Sequence, residues 1–382
     1  MKLAQRFLIT TAVFSVGFLV FYFHWGNFLY DHEFPSKSGG AALNVRDYRG
    51  TSENATHVNG GHTVYKEIGV WATSSEGKWD GEFSCNESGT KVHVIQTTDY
   101  ERLSHSNALF LIHSAAFSWT KLKRKRPPGQ IWIYMSFESP LNSLNFNHDV
   151  LLNDVNWTFT YRFDATFPSP YGGYFTDKPT VLASDTTNWA KGKHGVVCAM
   201  VSHCTDGWGR MKMIHQLASY ISTDIYGSCG SRSCPRDHSC NKMLSKYKFY
   251  LAFENSECNG YITEKFWHNA LIYNLVPVVY GGTPADYEKV APPNSFIHVK
   301  NFPSLKHLAE YLKLLDRNDE LYNEYFDWKK KGRVEGNLLA TYYEPNITMC
   351  RIMSRLLEVD KSPGDRSAKD VEEIYSYLHS CR

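Results

Sequence analysis

The chain has almost no charge imbalance: 41 lysines and arginines stand against 39 aspartates and glutamates over 382 residues, a formal net charge of +2. A field that weak exerts no long-range pull on nucleic acid, so any partner has to be argued from local groups. Internal repeats and heptads are missing, which sets aside solenoids and coiled coils. No Asp-x-Asp pair precedes a strand end, and Asp149 and Asp154 stand too far apart to share one turn. No Cys and His spacing matches a tight zinc knuckle. Cys229, Cys234 and Cys240 with His238 can be drawn as a zinc set, but their spacing matches no such knuckle and disulfides are the expected use. Long apolar runs are scarce as well. One stands out, at residues 7–23.

That run has the length of a membrane span, which needs roughly 17–25 residues. Lys2 and Arg6 precede it and Asp31 and Glu33 follow, so the short tail of residues 1–6 is expected to stay cytoplasmic. A cleaved signal peptide is the competing reading. The run exceeds the usual apolar region of about 7–15 residues and leads into His24 and Trp25 rather than small residues. We therefore expect a transmembrane signal anchor over 7–25, a flexible stem rich in Gly, Asn and Ser over 26–63, and a lumenal head. Four Asn-x-Ser/Thr sites, Asn54, Asn86, Asn156 and Asn346, suit that compartment as glycosylation acceptors. So do nine cysteines, whose odd number leaves at least one unpaired or paired between chains. Cys350 and Cys381 are expected to staple the C-terminal segment, to each other or back to Cys85.

In the head, apolar runs at 92–95, 109–112 and 130–135 alternate with helix-length intervals, the pattern of one α/β domain over 64–190. A further run at 196–201 and a helical spacing at Met213, Ile214, Leu217 and Ile221 open a second α/β domain over 191–345. A helical segment over 346–382 follows and could cross back to the first domain. Residues 249–282 are the most informative. An apolar strand run ends in a polar loop, a helix-like segment starts at Tyr261, and a second strand run ends in Gly281-Gly282. In such βαβ units ligands collect beyond the carboxyl ends of the strands, and helix N-termini suit phosphate.

The same stretch resembles the signature of the alpha-1,3-fucosyltransferases, glycosyltransferase family 10, at Phe253, Glu254, Asn255, Ser256, Tyr261, Glu264, Lys265, Phe266 and Trp267. Three further blocks resemble the family in order. They are the basic run 121–126 with Pro127-Pro128-Gly129-Gln130 and then Glu138-Ser139-Pro140, the stretch from Asn156 to Gly172, and Lys193 with Val201-Ser202 and Arg210. The resemblance implies a GT-B architecture, two Rossmann-like α/β domains facing a cleft. It also implies an inverting, Golgi-resident, single-pass type II enzyme that moves fucose from GDP-fucose to the 3-hydroxyl of an N-acetylglucosamine unit on a glycoprotein or glycolipid glycan. A homodimer is compatible with it. Rival readings are a transferase for another sugar nucleotide and a non-catalytic glycan-binding relative of the same fold.

Glycosyl transfer needs a base for the acceptor hydroxyl and cationic support for the departing diphosphate. The resemblance assigns the base to Glu138; taken alone, an exposed turn glutamate is the ordinary reading. Arg210 and Lys265 are candidates for the diphosphate, with Lys193, Asn255, Ser256, Tyr261 and Glu264 as further donor-binding groups. Tyr261, Glu264, Lys265 and His268 fall at helical spacing on one face. Tyr161 and Arg162 are candidates for positioning substrate, although a structural pairing of Arg162 with Asp164 is equally compatible. Two departures from the family pattern stand out. Ala165-Thr166 replaces a serine and a second aspartate, and His203 replaces an asparagine. Two cations can do the work of a metal, so no obligatory cofactor is expected, and stimulation by a divalent cation such as manganese is compatible with that.

Overall fold

The computed structural model describes residues 65–382 apart from 73–78, 86–89, 114, 116, 144–146, 206–207, 235–237 and 360–366. The expected anchor, the stem, Asn54 and Asn86 lie outside the described residues. Among the described residues, no helix is long and apolar enough to cross a membrane.

Two largely parallel sheets organise a mixed α/β fold. The first contains β1 (Tyr65–Trp71), β2 (Gly81–Cys85), β3 (Thr90–Thr97), β4 (Ala108–Ile112), β5 (Ile131–Ser136), β6 (Trp157–Thr160) and β7 (Phe167–Pro168), in the order β2-β3-β1-β4-β5-β6-β7. Only β2 runs antiparallel to its neighbour. Every residue of β4 is buried, as a strand covered on both faces requires. A short ribbon pairs β8 (Gly173–Phe175) with a strand near the end of the chain. The second sheet has β9 (Gly195–Met200), β10 (Thr223–Tyr226), β11 (Tyr247–Phe253), β12 (Val276–Tyr280) and β13 (Ile297–His298), all parallel in the order β10-β9-β11-β12-β13. The partner of β8 is β14 (Arg333–Glu335).

That strand order decides where a ligand can sit. From β9 the chain steps outward to β10 and then returns to the other side as β11. The crevice beyond the carboxyl ends of β9 and β11 is therefore the topological switch point of the second sheet. Glu138 follows the carboxyl end of β5, well inside the first sheet.

The C-terminal segment returns to the first sheet, and the disulfides fix its path. Cys85 is bonded to Cys350 in the helix Pro345–Val359, as one of the expected pairings has it. Cys381 is bonded instead to Cys258, in the loop after β11. Cys204–Cys229 and Cys234–Cys240 use the cysteines that could have been drawn as a zinc set, and Cys198 remains free and buried.

The helix Ala368–Leu378 explains the departure at Thr166. Its Glu373 is buried and accepts hydrogen bonds from Thr158 (2.5 Å) and Thr166 (3.2 Å). Burial pushes the Glu373 carboxyl up to about 7. An aspartate at 166 would set a second carboxylate against it, a repulsive arrangement in a site of low dielectric. Asn156, one of the expected glycosylation sites, stands immediately before β6. Its side-chain oxygen accepts from Arg126 (2.7 Å) and from the Trp132 backbone N–H (2.8 Å), pinning β6 to β5. Asn346 is exposed in the first turn of its helix.

Candidate active site

β11 is wholly buried and is apolar from Phe249 to Phe253, and the next residue is Glu254, which is 0% exposed. A carboxylate taken that far from water requires hydrogen-bond donors and a cation. Thr263 supplies donors from its backbone N–H (2.9 Å) and hydroxyl (2.8 Å), and the Lys265 ammonium lies 3.2 Å away. Lys265 also meets Glu264 at 3.0 Å and the Thr263 hydroxyl at 3.1 Å. Burial would lower the Lys265 pKa, but Glu254 and Glu264 together carry it above its usual value. Burial pushes the Glu254 carboxyl up. Gly281, at φ +146°, lets the end of β12 approach this carboxylate, since a Cβ there would lie 2.8 Å from that of Glu254. Sequence reasoning missed Glu254 as a site residue, although an acid closing a fully apolar strand run is a usable signal for one.

Glu138 approaches from the first sheet and is only 8% exposed. Its carboxylate accepts the Tyr261 hydroxyl at 3.0 Å and the Asn255 amide at 3.4 Å. Burial raises its pKa, while Lys265, Tyr261 and Asn255 pull the other way. A buried carboxylate whose pKa is raised and that is held by hydrogen bonds is suited to accept a proton as a general base. The two lobes meet here in packed contact rather than across an open gap: the Ser139 and Ser256 hydroxyls lie 2.6 Å apart, and Asn142 donates to Ser256 at 2.7 Å. Asn255 and Ser256 thus face the first lobe in this structure.

Arg210 begins the helix Arg210–Ala218, just beyond β9, and is 1% exposed. Its guanidinium donates to the carbonyls of His203 (2.6 Å) and Phe253 (3.4 Å), so it bridges the carboxyl ends of β9 and β11. It is close enough to Lys265 to repel its charge. The side chain of His203 is exposed and only its carbonyl receives this bond, so the contact tolerates histidine in place of asparagine.

Two expectations are corrected, for Tyr261 and Lys193, and the alternatives at Arg162 are resolved. Tyr261 does not share a helix face with Glu264 and Lys265. Thr263 caps the helix, which starts at Glu264 and continues as a wider π-type turn over Trp267–Ile272. Tyr261 lies in the loop before it, buried with its hydroxyl on Glu138. Of the two readings of Arg162 the structural pairing is the one seen: Arg162 forms a two-pronged pair with Asp164 (2.8 and 2.6 Å) and donates to Ser376, while Tyr161 is buried edge-on against Tyr261. Lys193 sits at the opposite end of the sheet. Its ammonium donates to the carbonyls of Ser245 (3.1 Å) and Tyr247 (2.8 Å), the length of β11 away from Glu254, or about 20 Å at ~3.3 Å per residue. Burial lowers its pKa to about 8. Replacing Lys193 by Ala should therefore destabilise the fold by about 1–3 kcal/mol through the loss of two hydrogen bonds. GDP affinity should be unaltered, and paired urea melts and calorimetric titrations check both halves.

Among the described residues, no three His, Cys, Asp or Glu side chains come together as a metal-ligand set. Residues 64–172 match the family described as fucosyltransferase, N-terminal, and residues 190–374 match glycosyltransferase family 10 (fucosyltransferase), C-terminal. Glycoprotein 3-alpha-L-fucosyltransferase A of Drosophila melanogaster is 39% identical over 255 residues, which cover 66% of this chain and 48% of that protein. Alpha-(1,3)-fucosyltransferase 4 of Homo sapiens is 36% identical over 279 residues, covering 72% of this chain and 50% of that protein. The chain spans about half the length of the curated relatives it matches. A crystal structure of an alpha1,3-fucosyltransferase with GDP-fucose has 16% identity and a TM-score of 0.45, and the likeness covers 82% of this chain and 96% of that one. On its two consecutive family matches, the chain belongs to glycosyltransferase family 10, the fucosyltransferases.

Proposed function

We propose that this protein transfers L-fucose from GDP-fucose to the 3-hydroxyl of an N-acetylglucosamine unit in a glycan, with inversion at the fucose anomeric carbon. We further propose that it does so as a type II Golgi membrane enzyme of GT-B architecture. The observation that carries the reading is the convergence of Glu138 from the first lobe with Lys265 and Arg210 at the switch point of the second. Family membership supports the same donor.

In this mechanism the Glu138 carboxylate removes the proton of the acceptor hydroxyl as its oxygen bonds to the anomeric carbon. The bond from that carbon to the diphosphate oxygen breaks, and the electron pair leaves with GDP. Arg210 and Lys265 offset the charge gathering on the leaving group. Lys265 already uses its three donors on Glu254, Glu264 and Thr263. Diphosphate would take over the place of Glu264, whose freed carboxylate can then accept hydrogen bonds from sugar hydroxyls. Glu254 stays behind as the fixed counter-charge.

A donor screen tests the assignment. The full chain should transfer sugar from GDP-fucose, and not from GDP-mannose or UDP-galactose, to glycans ending in N-acetylglucosamine units, with the new linkage at O3 by NMR. A preference for a UDP-sugar overturns it.

A further inference from the structure

Residues 368–382 touch both lobes at the place where Glu138 meets Tyr261. Toward the first sheet, Glu373 accepts from Thr158, Ser376 accepts from Arg162, and the Tyr377 hydroxyl lies 3.5 Å from the Glu138 carbonyl oxygen. Toward the second, Cys381 is bonded to Cys258, the Asn259 N–H donates to the Ser380 carbonyl (2.8 Å), and the Arg382 N–H donates to the Glu257 carbonyl (3.0 Å). The buried rings of Tyr377, Tyr161 and Tyr261 stand in line between the two, with centroids 6.4 and 4.8 Å apart.

The loop being held needs this support. From Glu254 to Thr263 the chain forms no helix or extended strand, and it passes through Gly260 at φ +72°. Fixing such a backbone carries a conformational-entropy cost at every residue. The same loop carries the two groups, Asn255 and Tyr261, that bind the Glu138 carboxylate.

We propose that this C-terminal strap, pinned by Cys258–Cys381, is a positioning element for the fucosyl transfer: it holds the Tyr261 hydroxyl on the Glu138 carboxylate and so aims the base. The inference rests on the function proposed above. It assigns Cys258, Cys381, Tyr377 and Tyr161 a role in the reaction although none of them touches substrate. Misplacement of a reacting group by about 1 Å costs on the order of 10²-fold in rate.

The test compares the full chain with its Cys258→Ser/Cys381→Ser variant and a Cys234→Ser/Cys240→Ser control. In the strap variant kcat should fall at least about 10-fold while the Kd for GDP stays within about 3-fold. The acid limb of kcat/KM should also move to higher pH, because the Tyr261 hydrogen bond favours the ionised carboxylate. The control should leave all three unchanged. An unmoved limb with kcat within about twofold of the parent overturns the proposal. If the strap variant does not fold, Glu373→Gln/Ser376→Ala loosens the strap from the first sheet with the disulfide intact and is judged by the same limb. If the parent chain transfers no fucose, the function reading falls. The strap is then judged by amide exchange at residues 255–262, which accelerates in the variant if the strap holds the loop and overturns the strap if it does not.

Discussion

Glu138→Gln should lower kcat by about 10³-fold, within the 10²–10⁴ range typical of a lost general base, while leaving GDP affinity intact. Glutamine keeps an oxygen to accept from Tyr261 and Asn255, so the contact between the lobes survives and only proton transfer is removed. The pH profile makes the assignment specific. Burial raises the Glu138 pKa, so the unprotonated base is lost as pH falls through a value above the ordinary carboxylate range of about 4.3. In the parent enzyme kcat/KM should decline on that acid limb, and in the variant the limb should be gone. Undiminished turnover would remove Glu138 from its role.

Lys265→Met should have two large effects, which a second substitution can separate. Glu254 would be left buried with no ammonium beside it, a change that costs about 3–5 kcal/mol when one partner of a buried pair is removed. The diphosphate would lose one of its two cations, and GDP affinity should drop by at least about 10²-fold, the scale of a buried charge contact. Adding Glu254→Gln neutralises the orphaned acid, so stability should return in large part while GDP binding stays lost. Recovery of both would mean that Lys265 only balances Glu254. The sign of the pH effect is also defined. Burial raises the Glu254 pKa in the fold, and without Lys265 it rises further, so the folded state holds a proton that the unfolded state releases. The stability deficit of Lys265→Met should therefore shrink as pH is lowered toward 5 and widen as pH rises. Chemical denaturation at several pH values measures it.

Much of the second lobe could be read directly. The apolar run before Glu254, the polar loop and the run before Gly281 are local features of a βαβ unit, and β11 and β12 occupy those runs. Two misreadings at the site had local remedies. Thr263 followed by Glu264 is a helix-start signal, and recognising it would have moved Tyr261 off the helix. Lys193 precedes β9, and a residue before a parallel strand lies at its amino end, opposite the ligand crevice. The Ser139–Ser256 contact and the Arg162–Ser376 contact had no local signal, because each joins residues more than a hundred positions apart.

The amino-acid order carried the α/β class and the family resemblance, and through that resemblance named Glu138, Arg210 and Lys265 as candidates, because apolar periodicity and motif spacing are properties of neighbouring residues. Folding in three dimensions chose the Cys258–Cys381 pairing, turned Tyr261 onto Glu138, closed the two lobes over the carboxylate and gave Glu254 its cation. The reason is that a polar group denied water must find partners wherever the chain path brings them, and that path is set by packing over the whole molecule rather than by any short stretch of it.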